Sequence, residues 1–426
     1  MIMKIAFIVD QFPALSETFI LNQITGLLDR GCEVDIYSDN PRPPPWGDSK
    51  IHQDVEKYKL RDRTCYRPVL PDNKLLRLAK GLGFLLTKFH EKPAILLKSL
   101  DGFKYGKDAF SLRILYRITP FSGHGPYEII HCHHGPNGTL ALLLKDIGVI
   151  GGKLVTTFHG YDANGYPRQY GESVYSDLFS RGDLFTVNTD FTRSRLKALG
   201  CPEDKIVKLP VGLKILQFPY QEKRLSPGQE IGMLTVARLV EKKGIEYSIK
   251  AVAEVLQRHP NLKYRIVGDG PLRESLQELI EQLDLRNKVE LLGWMTEDEV
   301  RKLYTTSHLF VLSSVTANNG DQEGQGLVLQ EAQAMGMPVV STLHNGIPEG
   351  VLDGKSGFLV PERDVHALAA KLEYLVEHPQ VWPEMGRAGR EYVEMHYDIE
   401  QLNDRLLEIY QRVLDGDLPA KAEQSV

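Results

Sequence analysis

The sequence has few cysteines and no long apolar run. Its four cysteines (Cys32, Cys65, Cys132 and Cys201) lie far apart and form no Cys-x-x-Cys pair. This pattern argues against a disulfide framework or a structural zinc site and fits a reducing cytoplasm. No segment reaches the ~18 apolar residues that a membrane-spanning helix needs. The short apolar N-terminus stops at Asp10 and lacks a small-residue cleavage site, so it predicts a buried strand and not a signal peptide.

Positive charge is not in excess either. The formal net charge of -5 argues against a dedicated nucleic-acid binder, which normally carries a basic surplus. No Gly-x-Gly-x-x-Gly motif follows the first apolar run, which disfavours a dinucleotide-dependent oxidoreductase. The chain has 426 residues, 42% hydrophobic and 25% charged. That composition is typical of a globular protein, and the length predicts two or three domains.

Short apolar runs alternate with amphipathic stretches, which predicts parallel sheets covered by helices. The predicted strands of the first half are Lys4–Asp10, Glu33–Ser38, Glu128–His133, Lys153–Phe158, Leu184–Asn188 and Lys205–Leu209. Those of the second half are Ile231–Ala237, Lys263–Val267, Lys288–Leu292, Leu309–Ser313, Pro338–Ser341 and Gly357–Val360. The predicted helices include Thr18–Asp29, Gly138–Lys145, Phe191–Leu199, Ile245–Arg258 and Leu272–Leu283.

The expected fold is therefore α/β, with two Rossmann-like doubly wound domains that face a cleft. A polar stretch, Gln221–Gln229, separates the two runs of alternation. We predict domains at 1–212 and 213–397, a C-terminal helix at 398–416 and a disordered tail at 417–426. Ligands of such sheets bind beyond the carboxyl ends of the strands, so the site should lie in the cleft.

Two segments interrupt the alternation. Consecutive prolines make 40–50 a loop, because they exclude both helix and sheet. Residues 74–117 combine leucine-rich stretches with ten basic and three acidic residues, a net charge of +7. This composition predicts either basic amphipathic helices that lie on an anionic membrane surface, or a helical insertion packed on the first domain with solvated lysines.

The most specific motif places two glutamates, Glu323 and Glu331, around a glycine loop and a helix start. Gly324 and Gly326 let the backbone approach a ligand closely, and a helix N-terminus favours a phosphate group. The two carboxylates can accept hydrogen bonds from sugar hydroxyls. By spacing alone, they could equally be two surface glutamates of an amphipathic helix.

Three further stretches follow predicted strands and give this motif a context. Arg238 and Lys243 follow the first strand of the second half and can neutralise a diphosphate. Gly268 lies in a tight turn that could line a nucleotide, although many α/β proteins have such turns. His159 ends a strand of the first half, in the stretch Phe158-His-Gly-Tyr-Asp162.

In this order, the motifs resemble those of the retaining glycosyltransferases of family 4, and the exopolysaccharide enzymes of the colanic-acid type most of all. That subgroup opens with Phe-Pro-x-x-Ser-Glu-Thr-Phe, here Phe12 to Phe19, and has an acidic loop similar to residues 318–326. The resemblance runs from Met3 to about residue 412 and is strongest over 230–362. It implies the GT-B fold, with an acceptor-side first domain, a nucleotide-sugar-binding second domain and a C-terminal helix that returns to the first.

The resemblance also implies roles for single residues. Arg238 and Lys243 match the pair that binds the donor diphosphate, and Glu331 matches the glutamate that holds the ribose. Glu323 and His159 match groups close to the transferred sugar. The implied catalytic set is His159, Glu323, Arg238 and Lys243, and the implied donor-binding set is Arg238, Lys243, Gly268, Gly326, Leu327, Val328 and Glu331.

On the acceptor side, the candidates are Ser16, Glu17, His133 and His134. Many family members carry a glycine-rich loop where this chain has Gln11 to Glu17. The cluster from His131 to His134 could suggest a metal, but consecutive strand residues point in opposite directions. A histidine that contacts the acceptor and purely structural hydrogen bonding both stay open. No Asp-x-Asp metal motif accompanies the donor residues, and the resemblance implies neither a metal nor another cofactor.

We therefore expect a cytoplasmic enzyme, either free or peripheral on the inner face of the plasma membrane. It would move a hexose, with retention, from a nucleotide-diphosphate sugar to a lipid-linked or oligosaccharide acceptor in surface polysaccharide assembly. The resemblance favours a uridine nucleotide. A transferase acting on a small acceptor and a non-catalytic subunit that binds nucleotide-sugars are the alternatives.

Overall fold

The computed structural model describes residues 2–13, 18–39, 52–88, 93–121 and 124–417. Two parallel β-sheets organise the chain, one built from residues 4–208 and the other from residues 231–360. The strands of the first sheet are β1 (Lys4–Gln11), β2 (Glu33–Asp39), β3 (Thr64–Arg67), β4 (Ile129–His133), β5 (Lys153–Phe158), β6 (Leu184–Val187) and β7 (Ile206–Lys208). Those of the second are β8 (Ile231–Val236), β9 (Leu262–Val267), β10 (Val289–Gly293), β11 (Leu309–Leu312), β12 (Val339–Thr342) and β13 (Gly357–Val360).

Helices cover both faces of each sheet. Those of the first half are α1 (Thr18–Asp29), α2 (Gln53–Lys57), α3 (Lys74–Lys88), α4 (Pro93–Ser99), α5 (Gly102–Tyr105), α6 (Lys107–Phe110), α7 (Arg113–Ile118), α8 (Gly135–Ile147), α9 (Gly165–Tyr170), α10 (Ser176–Arg181) and α11 (Asp190–Ala198). The second half adds α12 (Ile245–Leu256), α13 (Arg273–Gln282), α14 (Glu297–Thr306), α15 (Leu327–Ala334), α16 (Val365–Glu377), α17 (Trp382–His396) and α18 (Ile399–Asp415).

Both sheets are doubly wound. Their strand orders are β3-β2-β1-β4-β5-β6-β7 and β10-β9-β8-β11-β12-β13, and the paired strands run parallel. The order reverses between β1 and β4 and between β8 and β11, and ligands of this architecture bind at such points. The fold class predicted from the sequence is confirmed. The edge strand β3 was not predicted, because its four half-buried residues carry no alternation that a sequence pattern can detect.

Apolar burial explains why these residues form the sheets. In β8 and β11 nearly every side chain is buried, as expected for strands covered on both faces. A single apolar cluster joins the second sheet to α12, α15 and α16. Two clusters lie on the two faces of the first sheet.

The last helix, α18, packs on the first half of the chain. Leu402, Leu406 and Tyr410 of α18 belong to the same apolar cluster as Ile20 and Ile24 of α1. At the rim of this contact, Arg30 Nε donates to Asp404 Oδ1 at 2.6 Å. The chain therefore crosses back from the second half to the first after α17.

Helices α3 to α7 form the insertion between β3 and β4. The predicted loop at 40–50 and all of the predicted tail except Asp417 lie outside the described residues. Within the described residues, no helix combines the length and the apolar character that crossing a membrane requires.

Candidate active site

A cleft of about 560 Å³ lies between the two sheets. Its walls come from the carboxyl ends of strands in both halves, which is where doubly wound sheets place ligands. The first half contributes His159 after β5 and Asn22 from α1. The second half contributes Arg238 after β8, Gly268 after β9 and the N-terminus of α15. The implied donor residues from the second half thus converge on one site.

Glu323 is held in place by a lysine and a histidine. Lys243 Nζ donates to Glu323 Oε2 in a short ion pair, and the backbone N–H of Glu323 donates to His344 Nε2 at 3.1 Å. Burial would raise the pKa of Glu323, but Lys243 and Lys242 outweigh it and lower the pKa to about 2. Glu323 is therefore a carboxylate at neutral pH.

The helix α15 presents its N-terminus to the cleft. Gly326 precedes it with φ of +76°, a left-handed conformation that glycine adopts without strain. No side chain caps this end, while Gly326, Leu327 and Val328 line the cleft. Unpartnered backbone N–H groups and the helix dipole favour an anion here.

Glu331 lies on the cleft side of α15, where Tyr304 OH donates to its Oε2 at 2.9 Å. Burial is the largest influence on its pKa, and the Tyr304 hydrogen bond only partly opposes it. The pKa is raised to about 7. The ammonium group of Lys243 pairs with Glu323, and within the part of the chain that the structure describes Glu331 forms no ion pair. The two glutamates of the motif thus have opposite electrostatic environments.

Arg238 and Gly268 differ in what they contribute. The Arg238 side chain is exposed at the cleft and pairs with no carboxylate among the described residues, so its charge is available to a ligand. Gly268 has φ of +127°, and a Cβ there would lie 1.9 Å from the carbonyl oxygen of Ala237. A side chain at Gly268 would therefore separate two adjacent strand ends, which is a packing requirement in its own right.

His159 meets the second half at the floor of the cleft. Its backbone N–H donates to Asp162 Oδ1 at 3.0 Å, and its carbonyl accepts from Asn188 Nδ2 at 3.2 Å. Burial lowers the pKa of His159 to about 3, so the imidazole is neutral. His134 also lines the cleft, with Nδ1 3.7 Å from Asp162 Oδ2.

His133, one of the acceptor-side candidates, does not line the cleft. Its side chain is 1% exposed, and it stacks on Phe7 within the first sheet. Its Nδ1 shares a hydrogen bond of 2.9 Å with His159 Nε2, and its Nε2 is 2.9 Å from Gln23 Oε1. The alternation of β4 explains this, because residues of one strand two apart share a face, and that face is covered by α1. Ser16 and Glu17 lie outside the described residues.

Several residues of the site carry no sequence signal of their own. Lys242 Nζ pairs with Asp321 Oδ1 at 3.0 Å, and His344 Nδ1 lies 2.5 Å from Glu362 Oε1, so both brace the loop of Glu323. Phe19 lies with its ring centroid 4.8 Å from that of His159. Each of these pairs joins distant positions, which only an alignment of many homologues could have linked.

The two halves also touch directly beneath the cleft. A Cβ at Gly324 would lie 2.2 Å from the carbonyl oxygen of His159. Glu349 accepts the backbone N–H groups of Asp190 and Phe191, at 2.9 and 3.1 Å, and so caps α11 from the opposite half. The turn at 345–349 thus has a structural role at Glu349.

A possible metal-binding group lies elsewhere. His259, Glu373 and Glu377 could each direct one ligand atom at a shared ion. Arg258 Nη2 already donates to Glu373 Oε2 at 2.5 Å, which supplies the positive charge that an ion would bring. None of the three lines the cleft.

Comparison with known proteins agrees with this architecture. The chain matches the family described as Glycosyl transferases group 1 over residues 217–392 and Glycosyltransferase Family 4 over residues 88–215. It is 36% identical to the putative colanic acid biosynthesis glycosyltransferase WcaL of Salmonella typhimurium, over 96% of this chain and 100% of that protein. It is 35% identical to the amylovoran biosynthesis glycosyltransferase AmsK of Erwinia amylovora, with the same coverage.

Solved structures agree on the fold. The complex of Anabaena Alr3699/HepE with UDP and glucose aligns over 96% of this chain and 99% of that chain, with a TM-score of 0.67 and 18% identity. A sucrose-phosphate synthase of Thermosynechococcus elongatus aligns over 97% and 100%, with a TM-score of 0.69 and 19% identity. Two Rossmann-like domains around a shared cleft define the GT-B architecture. With the sequence matches, the chain belongs to family 4 of the glycosyltransferases, as the motifs had indicated.

Proposed function

We propose that this enzyme transfers a hexose, with retention of configuration, from a UDP-sugar to a lipid-linked or oligosaccharide acceptor in exopolysaccharide biosynthesis. The observation that carries the proposal is the convergence of Arg238, Lys243 and the uncapped N-terminus of α15 on one cleft opposite His159. Two cationic side chains and a helix N-terminus on one side of a cleft can bind a diphosphate, with room opposite for the uncharged sugar. The names of the two relatives, colanic acid and amylovoran biosynthesis, support the pathway class.

The charges in the cleft suit departure of a nucleoside diphosphate. Breaking the sugar–phosphate bond places negative charge on the diphosphate and positive charge on the anomeric carbon. Arg238 and the backbone N–H groups of Leu327 and Val328 can stabilise the former without a metal ion. Glu323, a carboxylate at neutral pH, is available to stabilise positive charge on the sugar.

The ion pair between Lys243 and Glu323 also bears on the stereochemistry of the transfer. The Glu323 carboxylate is paired with Lys243, which makes it a weak nucleophile. We therefore favour attack of the acceptor on the face from which the diphosphate leaves, which retains the anomeric configuration. NMR of the product tests this, because an inverted anomer would contradict the proposal.

The insertion supports a lipid-linked acceptor. Its described helices expose apolar side chains to an unusual extent: Leu75 is 78%, Leu86 80% and Phe110 80% exposed. Exposed basic residues accompany them on the same helices: Lys74, Lys80, Lys98, Lys104, Lys107, Arg113 and Arg117. Apolar side chains interleaved with cations match the surface of an anionic bilayer, where both kinds of group find partners.

The last helix of the insertion, α7, lies near α9. Tyr116 OH of α7 donates to the carbonyl of Arg77 in α3 at 2.9 Å. The charge of Arg117 acts on Tyr166 of α9, and α9 follows the cleft residue Tyr161.

Calorimetric titration of UDP and of GDP tests the donor assignment. We expect UDP to bind, and Arg238→Ala and Glu331→Ala each to weaken it about tenfold or more. Both nucleotides are needed because a Mycolicibacterium smegmatis mannosyltransferase, 29% identical over 67% of this chain and 77% of that protein, is named as GDP-mannose-dependent. If the folded protein binds neither nucleotide, the donor-site assignment is contradicted.

Sedimentation with vesicles tests the acceptor class. We expect binding to vesicles that contain phosphatidylglycerol, and its loss when Lys74, Lys80 and Lys98 are replaced by glutamate. The matched control replaces Lys302, Lys355 and Lys371, which are exposed on the second half, and should still sediment. No sedimentation of the native enzyme would favour a soluble transferase with a small acceptor.

A further inference from the structure

Three imidazole rings form a stacked row that leads from the first sheet to the cleft. His131 and His133 of β4 have centroids 4.8 Å apart with 14° between their planes, and His133 and His159 are 5.2 Å apart with 11°. Only His159 of the three lines the cleft. The row therefore joins a buried polar network to a side chain that faces the site.

All three imidazoles are uncharged. Burial lowers the pKa of His131 and of His159 to about 3, and it lowers the pKa of His133 well below its usual value. A neutral imidazole has one nitrogen that donates and one that accepts. Each hydrogen bond along the row therefore determines which nitrogen of the next ring carries the proton.

The proton positions follow from Gln23 on α1. Its carboxamide oxygen Oε1 lies 2.9 Å from His133 Nε2, so this nitrogen must be the donor. The other nitrogen of the ring, His133 Nδ1, is then an acceptor, and His159 Nε2 donates to it at 2.9 Å. Nδ1 of His159 is left as a lone pair, and no group among the described residues hydrogen-bonds to it.

His131 does not interfere with this arrangement. Its Nδ1 is bonded to Tyr410 OH and its Nε2 to Thr157 Oγ1, at 2.7 Å for the latter. It stacks on His133 but shares no hydrogen bond with it. The tautomer of His159 thus depends on Gln23 and His133 alone.

We propose that Gln23 and His133 are positioning residues that hold His159 in its Nε2–H tautomer, with Nδ1 as a hydrogen-bond acceptor for a hydroxyl group of the bound sugar. This rests on the proposed function, which puts a sugar beside His159. An acceptor at this position binds a hydroxyl only through its hydrogen, which fixes the orientation of that hydroxyl. It also excludes His159 as a proton donor to the substrate.

The orientation of the Gln23 side-chain amide determines the tautomers of both His133 and His159. If the Gln23 amide nitrogen faced His133, the protons of His133 and His159 would each move to the opposite nitrogen, and His159 would offer Nδ1–H to the sugar. The ring of Phe19, also on α1, lies beside His159 with 4.8 Å between centroids. It helps to shield the row from water, which could otherwise replace the Gln23 contact.

NMR correlation spectra of the full-length protein labelled with ¹⁵N-histidine test the proposal directly. We expect the His159 signals, assigned by their loss in His159→Asn, to show the Nε2–H tautomer. In Gln23→Leu the acceptor is gone, so a mixture of tautomers should appear and kcat should fall about tenfold while UDP affinity is unchanged. Gln411→Leu, the same change on an exposed position of α18, should alter neither.

A second variant removes both ring nitrogens of His133 and keeps the stacked ring. His133→Phe should likewise abolish the preference of His159 for Nε2–H. An Nδ1–H tautomer in the native protein, or an unaltered tautomer in both variants, would overturn the proposal. The spectra need no substrate, so they remain decisive even if the protein proves to transfer no sugar.

Discussion

Lys243 and Glu323 form an ion pair across the donor cleft, although 80 residues separate them in the chain. The pair holds the carboxylate in its charged form and fixes the loop that leads into α15. It also means that Lys243 cannot be viewed as a free cation that awaits a diphosphate. Its charge is shared between the protein and the ligand, whereas that of Arg238 is not.

Neutralising Glu323 should change the acid sensitivity of the fold. Its folded pKa of about 2 lies below the usual value of 4.5, so the ion pair contributes stability above pH 4.5 that is lost as the pH falls through 2. We expect Glu323→Gln to lower the free energy of unfolding by about 2 kcal/mol at pH 7, less than for a fully buried pair because the cleft is open to water. Urea denaturation at several pH values should show this difference shrinking below pH 4.5, and a constant difference would contradict the assignment.

Glu331 should couple nucleotide binding to pH. Its folded pKa of about 7 is raised by burial, so the ionised carboxylate destabilises the folded state. This destabilisation develops as the pH rises from 4.5 through 7. Glu331→Gln should therefore stabilise the ligand-free protein at pH 8 by about 1–3 kcal/mol while it weakens UDP binding. Calorimetry should show native affinity increasing as the pH rises through 7 and a flat profile for the variant. Parallel profiles would exclude the carboxylate as a ligand of the ribose.

Gly324 should tolerate no side chain. A Cβ there would lie 2.2 Å from the carbonyl oxygen of His159, a backbone atom of the opposite half that cannot move alone. We expect Gly324→Ala to displace the two walls of the cleft and to lower kcat at least about tenfold while both sheets stay folded. Activity assays and circular dichroism measure the two effects. Gly151→Ala is the control, because Gly151 is exposed and a Cβ there meets no heavy atom within 4 Å.

Glu349 should hold the two halves together. It caps α11 through two backbone N–H groups and accepts from Lys208 Nζ at 2.6 Å. Removing the carboxylate in Glu349→Ala leaves the two backbone N–H groups without this acceptor, while Lys208 keeps its contact with Asp190, and we expect a loss of about 2 kcal/mol in the free energy of unfolding. Thermal denaturation should show a lower Tm, whereas Glu408→Ala on the exposed side of α18 should not. An unchanged Tm for Glu349→Ala would show that the cap adds nothing.

The strands were predictable because each is a short apolar run between polar turns, and twelve of them were placed within two residues of their observed ends. Such a run reports burial on both faces, which is a local property of the sequence. β3 lacks it, since Thr64 to Arg67 sit at a half-buried sheet edge. His133 shows a further limit of sequence-based prediction. The strand β4 was predicted correctly, but its sequence does not show that helix α1 covers the face on which His133 lies.

The sequence by itself determined the two doubly wound sheets, the order of the donor motifs and the glycine at the start of α15. These depend on hydrophobic period and on backbone conformation, both of which act over a few residues. Tertiary structure decided which charges meet: Lys243 with Glu323, Glu349 with the start of α11, and Gln23 with His133. Partners so far apart are selected by how the halves pack, and packing depends on the shape of the whole chain and not on any local pattern.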